Sequence, residues 1–137
     1  MTQLQTSPTA RATRTASKRI LVLDDNPYIC ILIDTWLRAL GHAVKTVPGG
    51  RHFAKADLQQ VDVVITDIVM PEGDGFEVIE AVKTACPATK IIAMSGGGSQ
   101  LPGMEYLKLA RILGADEVLL KPFTRRHVLD ALARILE

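Results

Sequence analysis

Short runs of consecutive apolar residues constrain the fold of this chain more than any other feature. Four such runs occupy residues 20–23 (ILVL), 63–65 (VVI), 91–94 (IIAM) and 118–120 (VLL), and each is followed by polar residues. Runs of this length without alternation indicate strands that are buried on both faces, as in a parallel sheet. A fifth segment, residues 42–47 (HAVKTV), alternates and predicts a strand nearer the edge of the sheet.

Segments with helical periodicity separate these strands. The pattern predicts helices over residues 27–40, 76–85, 106–113 and 124–136, and a weaker one over residues 51–58. Pro27 suits the first turn of its helix, with Asn26 or Asp25 as the cap, and Gly41 is a C-terminal stop. Regular alternation with right-handed crossovers predicts a doubly wound, three-layer α/β/α sandwich around a five-stranded parallel sheet.

The length of 137 residues fits one domain. Residues 1–17 have no periodic pattern and are predicted to be a disordered basic tail, and residues 18–137 form the folded domain. Within the first 19 residues there are four basic side chains and no acid: Arg11, Arg14, Lys18 and Arg19. The remainder shows no basic stripe, so we expect no binding to nucleic acid.

Hydropathy predicts a cytoplasmic protein. No run of 18 or more apolar residues is long enough to span a membrane, and the N-terminus lacks the apolar core of a secretory signal. Cys30 and Cys86 lie in helical patterns without CxxC spacing. We therefore expect both to be small, reduced core residues.

Four of the five predicted strands run into a chemically useful side chain. Asp24 and Asp25 follow the first strand, Asp67 follows the central one, and Ser95 and Lys121 follow the last two. The carboxyl ends of parallel strands share one rim, which is where ligands bind in open α/β sheets. Three carboxylates held together repel one another, and a hard divalent cation such as Mg²⁺ relieves the repulsion. An ammonium and a hydroxyl opposite the ion suit phosphoryl transfer.

These motifs resemble the CheY-like receiver domain of bacterial two-component response regulators. Further elements of the resemblance are Met70-Pro71 and Asp74-Gly75 after Asp67, and the segments GAD (residues 114–116) and KPF (residues 121–123). The resemblance covers about residues 19–137 and implies a flavodoxin-like fold. It also implies that Asp67 accepts a phosphoryl group from a sensor histidine kinase or a histidine phosphotransfer protein.

The resemblance also implies roles for the other rim residues. Asp25 and Asp67 would bind Mg²⁺ directly, Asp24 would bind it through water, and the main-chain carbonyl of Val69 would be a further ligand. Lys121 would pair with the acyl phosphate, and Ser95 would turn toward it after phosphorylation. Pro122 is expected to follow a cis peptide bond.

The chain departs from the family pattern in two places, and a separate pair of positions bears on the lifetime of a phosphoryl group. The position three residues before Lys121, usually aromatic in the family, is Val118. The stretch from Ser95 to Gly114 is about four residues longer than in familiar members, with the excess in residues 96–103, which we expect to be mobile before phosphorylation. The positions two beyond Asp67 and two beyond Ser95 are Val69 and Gly97, and neither side chain can orient an attacking water. We therefore expect slow self-dephosphorylation.

The leading interpretation is a stand-alone phospho-acceptor domain, without enzymatic turnover of its own, that acts by binding other proteins or by passing the phosphoryl group on. The usual contact face in the family is formed by the fourth helix, the fifth strand and the fifth helix. Here that face would present five side chains: Tyr106, Lys108, Arg111, Arg125 and Arg126.

Two other functional classes remain open at this stage. A Mg²⁺-dependent phosphohydrolase also uses an Asp nucleophile on a parallel sheet, but it generally needs a second carboxylate where this chain has Val69. A phosphorylation-independent interaction domain would not need the acidic cluster or Lys121.

Overall fold

The computed structural model describes residues 16–49, 53–70, 75–96 and 101–136. Five strands form one parallel sheet in the order β2-β1-β3-β4-β5. Their bounds are β1 (Arg19–Leu23), β2 (Ala43–Val47), β3 (Val63–Asp67), β4 (Lys90–Ser95) and β5 (Glu117–Leu120). The predicted five-stranded parallel sheet is therefore confirmed, and the alternating strand β2 lies at one of its edges, as its pattern indicates.

Helices cover both faces of the sheet. The helices of the described residues are α1 (Pro27–Arg38), α2 (Gly75–Ala85), α3 (Gly103–Leu113), α4 (Arg125–Leu136) and a short 3-10 helix (Lys55–Leu58). The buried residues of α1 and α4 share one apolar cluster with the sheet. Those of α2, α3 and the 3-10 helix share a second cluster on the opposite face. This arrangement is the predicted three-layer sandwich.

The continuous apolar runs are explained by these two clusters. Along β1, Ile20 and Val22 belong to the cluster under α1 and α4, whereas Leu21 and Leu23 belong to the cluster under α2 and α3. All four are completely or almost completely buried. A strand covered on both faces needs an apolar residue at every position, which is why β1 and β3 show no alternation.

The ends of α1 follow from local hydrogen bonds. The Asn26 side chain caps the helix by accepting a bond from the Tyr28 N–H at 2.9 Å, and Pro27 is its first residue, both as predicted. The helix ends at Arg38, two residues earlier than the pattern predicts. The reason is a turn in which the N–H of Gly41 donates to the Arg38 carbonyl, and Gly41 has a φ of 91°.

The weak helix predicted over residues 51–58 is wrong in type and length. Among its described residues only Lys55–Leu58 are helical, as a single 3-10 turn. The Asp57 side chain accepts bonds from the Ala54 N–H and from the Lys45 ammonium, which favours a tight turn over a longer α-helix. At α3 the predicted helix is too short, because the helix begins at Gly103 rather than at Tyr106.

The outer side of β2 is occupied by a side chain from α1. On the side of β2 that faces β1, the Ala43 N–H donates a hydrogen bond to the Lys18 carbonyl, and the Val47 carbonyl accepts one from the Asp24 N–H. The intervening Val44 carbonyl accepts a hydrogen bond from the Arg38 guanidinium, which is itself paired with Asp34 at 2.7 Å.

Three sequence predictions lie wholly or mostly outside the described residues. They concern the disordered tail, of which residues 1–15 are not described, the loop over residues 71–74, and the mobility of the glycine loop at residues 97–100. Cys30 and Cys86 are free thiols, the first buried and the second half-buried. Within the described ranges, every helix is too short or too polar to cross a membrane.

Candidate functional site

The carboxyl ends of β1, β3 and β5 bring the predicted acidic and basic side chains together. Asp67 is the last residue of β3, Asp24 and Asp25 directly follow β1, and Lys121 directly follows β5. Because β3 pairs with both β1 and β4, the acids meet at one rim although they are 43 residues apart in sequence. The topological prediction that placed them there is confirmed.

Three carboxylates of this rim form a cluster suited to a cation. Asp24, Asp25 and Asp67 each offer an oxygen atom, and these oxygens lie within 4.8 Å of one another. Two ligands on opposite sides of Mg²⁺ are about 4.2 Å apart, since each bond is about 2.1 Å long. The three carboxylate oxygens are thus near enough to share one such ion, which usually keeps several of its waters. Asp24 and Asp67 are only 1% and 4% exposed, whereas Asp25 faces solvent.

Lys121 supplies the positive charge of the site. Its Nζ lies 2.8 Å from Asp24 Oδ2 and 3.5 Å from Asp67 Oδ1. Gly96 permits this approach from the end of β4, since a Cβ there would lie 3.2 Å from the Lys121 Cβ. Without an ion, the Lys121 ammonium therefore neutralises part of the negative charge of the three carboxylates. It lies closer to Asp24 than to Asp67.

The electrostatics of the site oppose charge on the Asp67 carboxylate. Burial, followed by repulsion from Asp24, raises the pKa of Asp67 from 3.8 to about 6. Burial also raises the pKa of Asp24, despite its hydrogen bond to Lys121. For Lys121 burial alone would lower the pKa, but the contacts with Asp24 and Asp67 raise it overall. A bound cation would relieve the repulsion between the carboxylates.

Asp24 is held by its own loop. Its Oδ1 accepts a hydrogen bond from the Asn26 N–H at 2.8 Å, and its carbonyl accepts one from the Cys30 thiol at 3.4 Å. The sequence indicated Asn26 as a helix cap but gave no sign that its backbone also orients Asp24. The loop therefore fixes one carboxylate while starting α1.

The backbone at Asp67 is fixed from several directions. The Thr66 hydroxyl donates to the Asp67 carbonyl at 2.9 Å, and the Ile68 N–H donates to the Met94 carbonyl at 2.9 Å. Gly75 packs directly against this segment, because a Cβ at Gly75 would lie 2.1 Å from the Asp67 carbonyl oxygen. In the sequence this glycine is visible only as part of the Asp74-Gly75 motif, which does not reveal the contact. Its position at the end of the loop was the available signal.

The remaining predicted site residues lie beside the cluster. Ser95 is the buried last residue of β4, and Val69 is half-buried two residues after Asp67. Their roles as hydroxyl donor and carbonyl ligand stay predictions. The Lys121–Pro122 peptide bond is cis, as expected. Val118 is half-buried against the cluster under α2 and α3.

Comparison with known proteins gives one consistent family. The response regulator receiver domain family matches residues 20–133. The chemotaxis protein CheY of Treponema pallidum is 31% identical over 135 residues, covering 95% of this chain and 90% of that protein. The transcriptional regulatory protein TcrA of Mycobacterium tuberculosis is 33% identical over 114 residues, but these correspond to 42% of its length.

Solved structures support the same assignment. The Vibrio cholerae chemotaxis protein CheY4 superimposes with a TM-score of 0.74 at 31% identity, covering 88% of this chain and 99% of that one. The BeF3-activated DrrB receiver domain gives a TM-score of 0.76 at 28% identity, covering 88% of this chain and 97% of that one. With its sheet order, its acidic rim and these relatives, the chain belongs to the family of response regulator receiver domains.

Proposed function

We propose that Asp67 accepts a phosphoryl group in a Mg²⁺-dependent reaction and that this modification changes which proteins the domain binds. The observation that carries the proposal is the position of Asp67 Oδ1, 3.5 Å from Lys121 Nζ and beside two further carboxylates. Phosphoryl transfer depends mainly on positioning and charge neutralisation, and this rim provides both.

The chemistry assigns a task to each side chain. An Asp67 carboxylate oxygen forms a bond to phosphorus as the bond to the donor breaks, and the departing imidazole or acetate keeps the electron pair. Lys121 pairs with a phosphoryl oxygen, and the Ser95 hydroxyl donates a hydrogen bond to another. Asp25, Asp67 and the Val69 carbonyl would hold a Mg²⁺ ion directly and Asp24 would hold it through water, and the bound ion would supply the remaining positive charge.

The outer face of α1 fits the approach of a protein phosphodonor. Four large apolar side chains are exposed on or just after this helix: Tyr28, Ile31, Leu32 and Leu40. Tyr28 is 76% exposed and lies in the first turn of α1, which directly follows the loop that carries Asp24 and Asp25. Ile31 is 60% exposed. The outward positions of the first two turns of α1 are thus apolar, which is typical of a surface that a partner protein covers. A histidine kinase or phosphotransfer protein that reaches Asp67 would contact this face.

The second proposed contact is the face formed by α3, β5 and α4, which would bind the downstream target. Lys108 and Arg111 on α3 and Arg125 and Arg126 on α4 are exposed there. Tyr106 contributes less than the sequence indicated, because it is half-buried. Three of these four cations are paired with carboxylates on the same face, Lys108 with Glu105, Arg111 with Glu117 and Arg126 with Asp130, so the face presents charges of both signs.

Incubation with acetyl phosphate and Mg²⁺ tests the acceptor chemistry. The wild-type protein should gain the mass of one phosphoryl group, and Asp67→Asn should gain none. Chelation of Mg²⁺ should abolish the gain in the wild type. Labelling that persists in Asp67→Asn, or no labelling of the wild type, would refute the proposal, and the second result would favour a phosphorylation-independent domain.

A pair of matched substitutions tests the donor face. Ile31→Asp on α1 should slow transfer from a phosphorylated histidine kinase at least tenfold, because it places a charge on the contact surface. Ile112→Asp on α3 should leave that rate unchanged. Both variants should be labelled by acetyl phosphate like the wild type. Equal slowing in both variants would rule out a specific role for α1.

A further inference from the structure

The first turn of α2 is in direct contact with the backbone of the acceptor residue. A Cβ at Gly75 would lie 2.1 Å from the Asp67 carbonyl oxygen and 2.8 Å from the Ile68 Cα. The Gly75 N–H also donates to the Ile68 carbonyl at 2.9 Å. With no free space between them and a hydrogen bond joining them, a displacement of the backbone at Asp67 displaces the start of α2 as well.

The next residue along α2 extends this contact to α3. The Phe76 ring faces the Tyr106 ring with the centroids 6.4 Å apart and the planes at 31°. This is the separation at which aromatic side chains attract one another. Both rings are half-buried against the same apolar cluster. The path from the acceptor backbone to α3 therefore needs only Gly75, Phe76 and Tyr106.

The opposite ends of the two helices are also in close contact. Gly114 directly follows α3, and a Cβ there would lie 2.4 Å from the Lys83 Cε in the last turn of α2. The Lys83 side chain thus lies against the end of α3, so the two helices are neighbours at both ends, with the ring contact at their starts as the firmer link. The part of α3 that would move presents apolar residues to solvent, with Ile112 79% exposed.

We propose that Phe76 and Tyr106 are positioning residues that transmit the phosphorylation state of Asp67 to α3. The inference rests on the proposed function, since it requires Asp67 to be modified. Val118 on β5 is a half-buried aliphatic side chain and offers no second ring to the rim. The contact between α2 and α3 supplies the aromatic pair instead, and the exposed face of α3 is the surface it repositions.

Backbone amide chemical shifts, measured before and after addition of Mg²⁺ and beryllium fluoride, test the proposal. In the wild type, amides of residues 103–113 should shift on saturation. In Phe76→Leu those shifts should fall to less than half. Phe53→Leu is the matched control, because Phe53 is half-buried against the same cluster, and it should retain them. Tyr106→Phe, which keeps the ring, should retain the shifts, whereas Tyr106→Leu should lose them.

Labelling by acetyl phosphate separates the two proposals. If Phe76→Leu is labelled at Asp67 like the wild type and its α3 shifts are equally large, the inference fails while the proposed function stands. If the wild type is labelled but its α3 amides do not shift, the inference fails as well. If the wild type is not labelled, both fail. A urea unfolding curve for each variant shows that a lost shift does not come from unfolding.

Discussion

Replacing the Asp67 carboxylate by its neutral amide should stabilise the ion-free protein, and the gain should depend on pH. In Asp67→Asn the side chain keeps its size and loses its charge. Asp67 is buried beside Asp24, and burial followed by this repulsion raises its pKa from 3.8 to about 6. The folded state therefore binds the Asp67 proton more tightly than the unfolded state does.

The sign and size of the effect follow from proton linkage. Between pH 4 and 6 the folded protein holds a proton that the unfolded chain has released, so the wild type loses stability as the pH rises through this range. A difference of about 2 pKa units corresponds to about 3 kcal/mol. Asp67→Asn should thus be more stable than the wild type by about 3 kcal/mol at pH 7.5, with little difference at pH 4.

Urea unfolding at a series of pH values, with a chelator present, measures this difference directly. Asp130→Asn, which removes one exposed carboxylate from α4, is the matched control and should change stability by no more than about 0.5 kcal/mol. Addition of Mg²⁺ should stabilise the wild type and narrow its gap to Asp67→Asn, since the ion neutralises the same charge. A gap that stays constant from pH 4 to 7.5 would refute the electrostatic account of the site.

Three further outcomes are expected. Lys121→Met should destabilise the ion-free protein by about 3 kcal/mol at pH 7.5, because buried Asp24 loses the ammonium that neutralises it. The loss should be smaller at pH 5, where Asp24 can take up a proton instead, and urea unfolding at both pH values measures the difference. Gly75→Ala should cost at least about 2 kcal/mol, because its methyl group would overlap the Asp67 carbonyl, and a loss below 0.5 kcal/mol in the same assay would contradict the contact. Phospho-Asp67 should persist for minutes or longer by intact mass, with Val69→Glu shortening its lifetime; decay of the wild type within seconds would show that another group orients the water.

Much of the fold and the position of the site could be predicted because strands and helices alternate regularly along the chain. Apolar runs with no polar position require strands covered on both faces, and parallel strands require a shared rim. Those two rules are sufficient to bring Asp24, Asp67 and Lys121 together. The prediction was weaker for residues 51–58, where a single side chain, Asp57, closes a short turn and no periodicity records it.

The contacts within the site could not be predicted in the same way. Sequence spacing does not show that Asp24 is buried, accepts a hydrogen bond from the Asn26 N–H and pairs with Lys121, whereas Asp25 next to it is exposed. It also does not show that Gly75 lies against Asp67, since the approach of a helix to a strand end depends on packing in three dimensions. Apolar residues of α1 such as Ile31 fit a helical pattern, but only the structure shows which of them face solvent.

The hydrogen bond from Arg38 to the Val44 carbonyl bears on whether a second copy could pair with the outer side of β2. An outermost strand offers unpaired backbone groups on which a second molecule can extend the sheet, and such extension is a common route to aggregation. Here an acceptor on that side is already occupied by a guanidinium that Asp34 holds in place, and Lys45 adds a charge nearby. A second copy pairing with β2 would have to displace Arg38, so strand addition is disfavoured there and the helical surfaces remain the favoured places for contact.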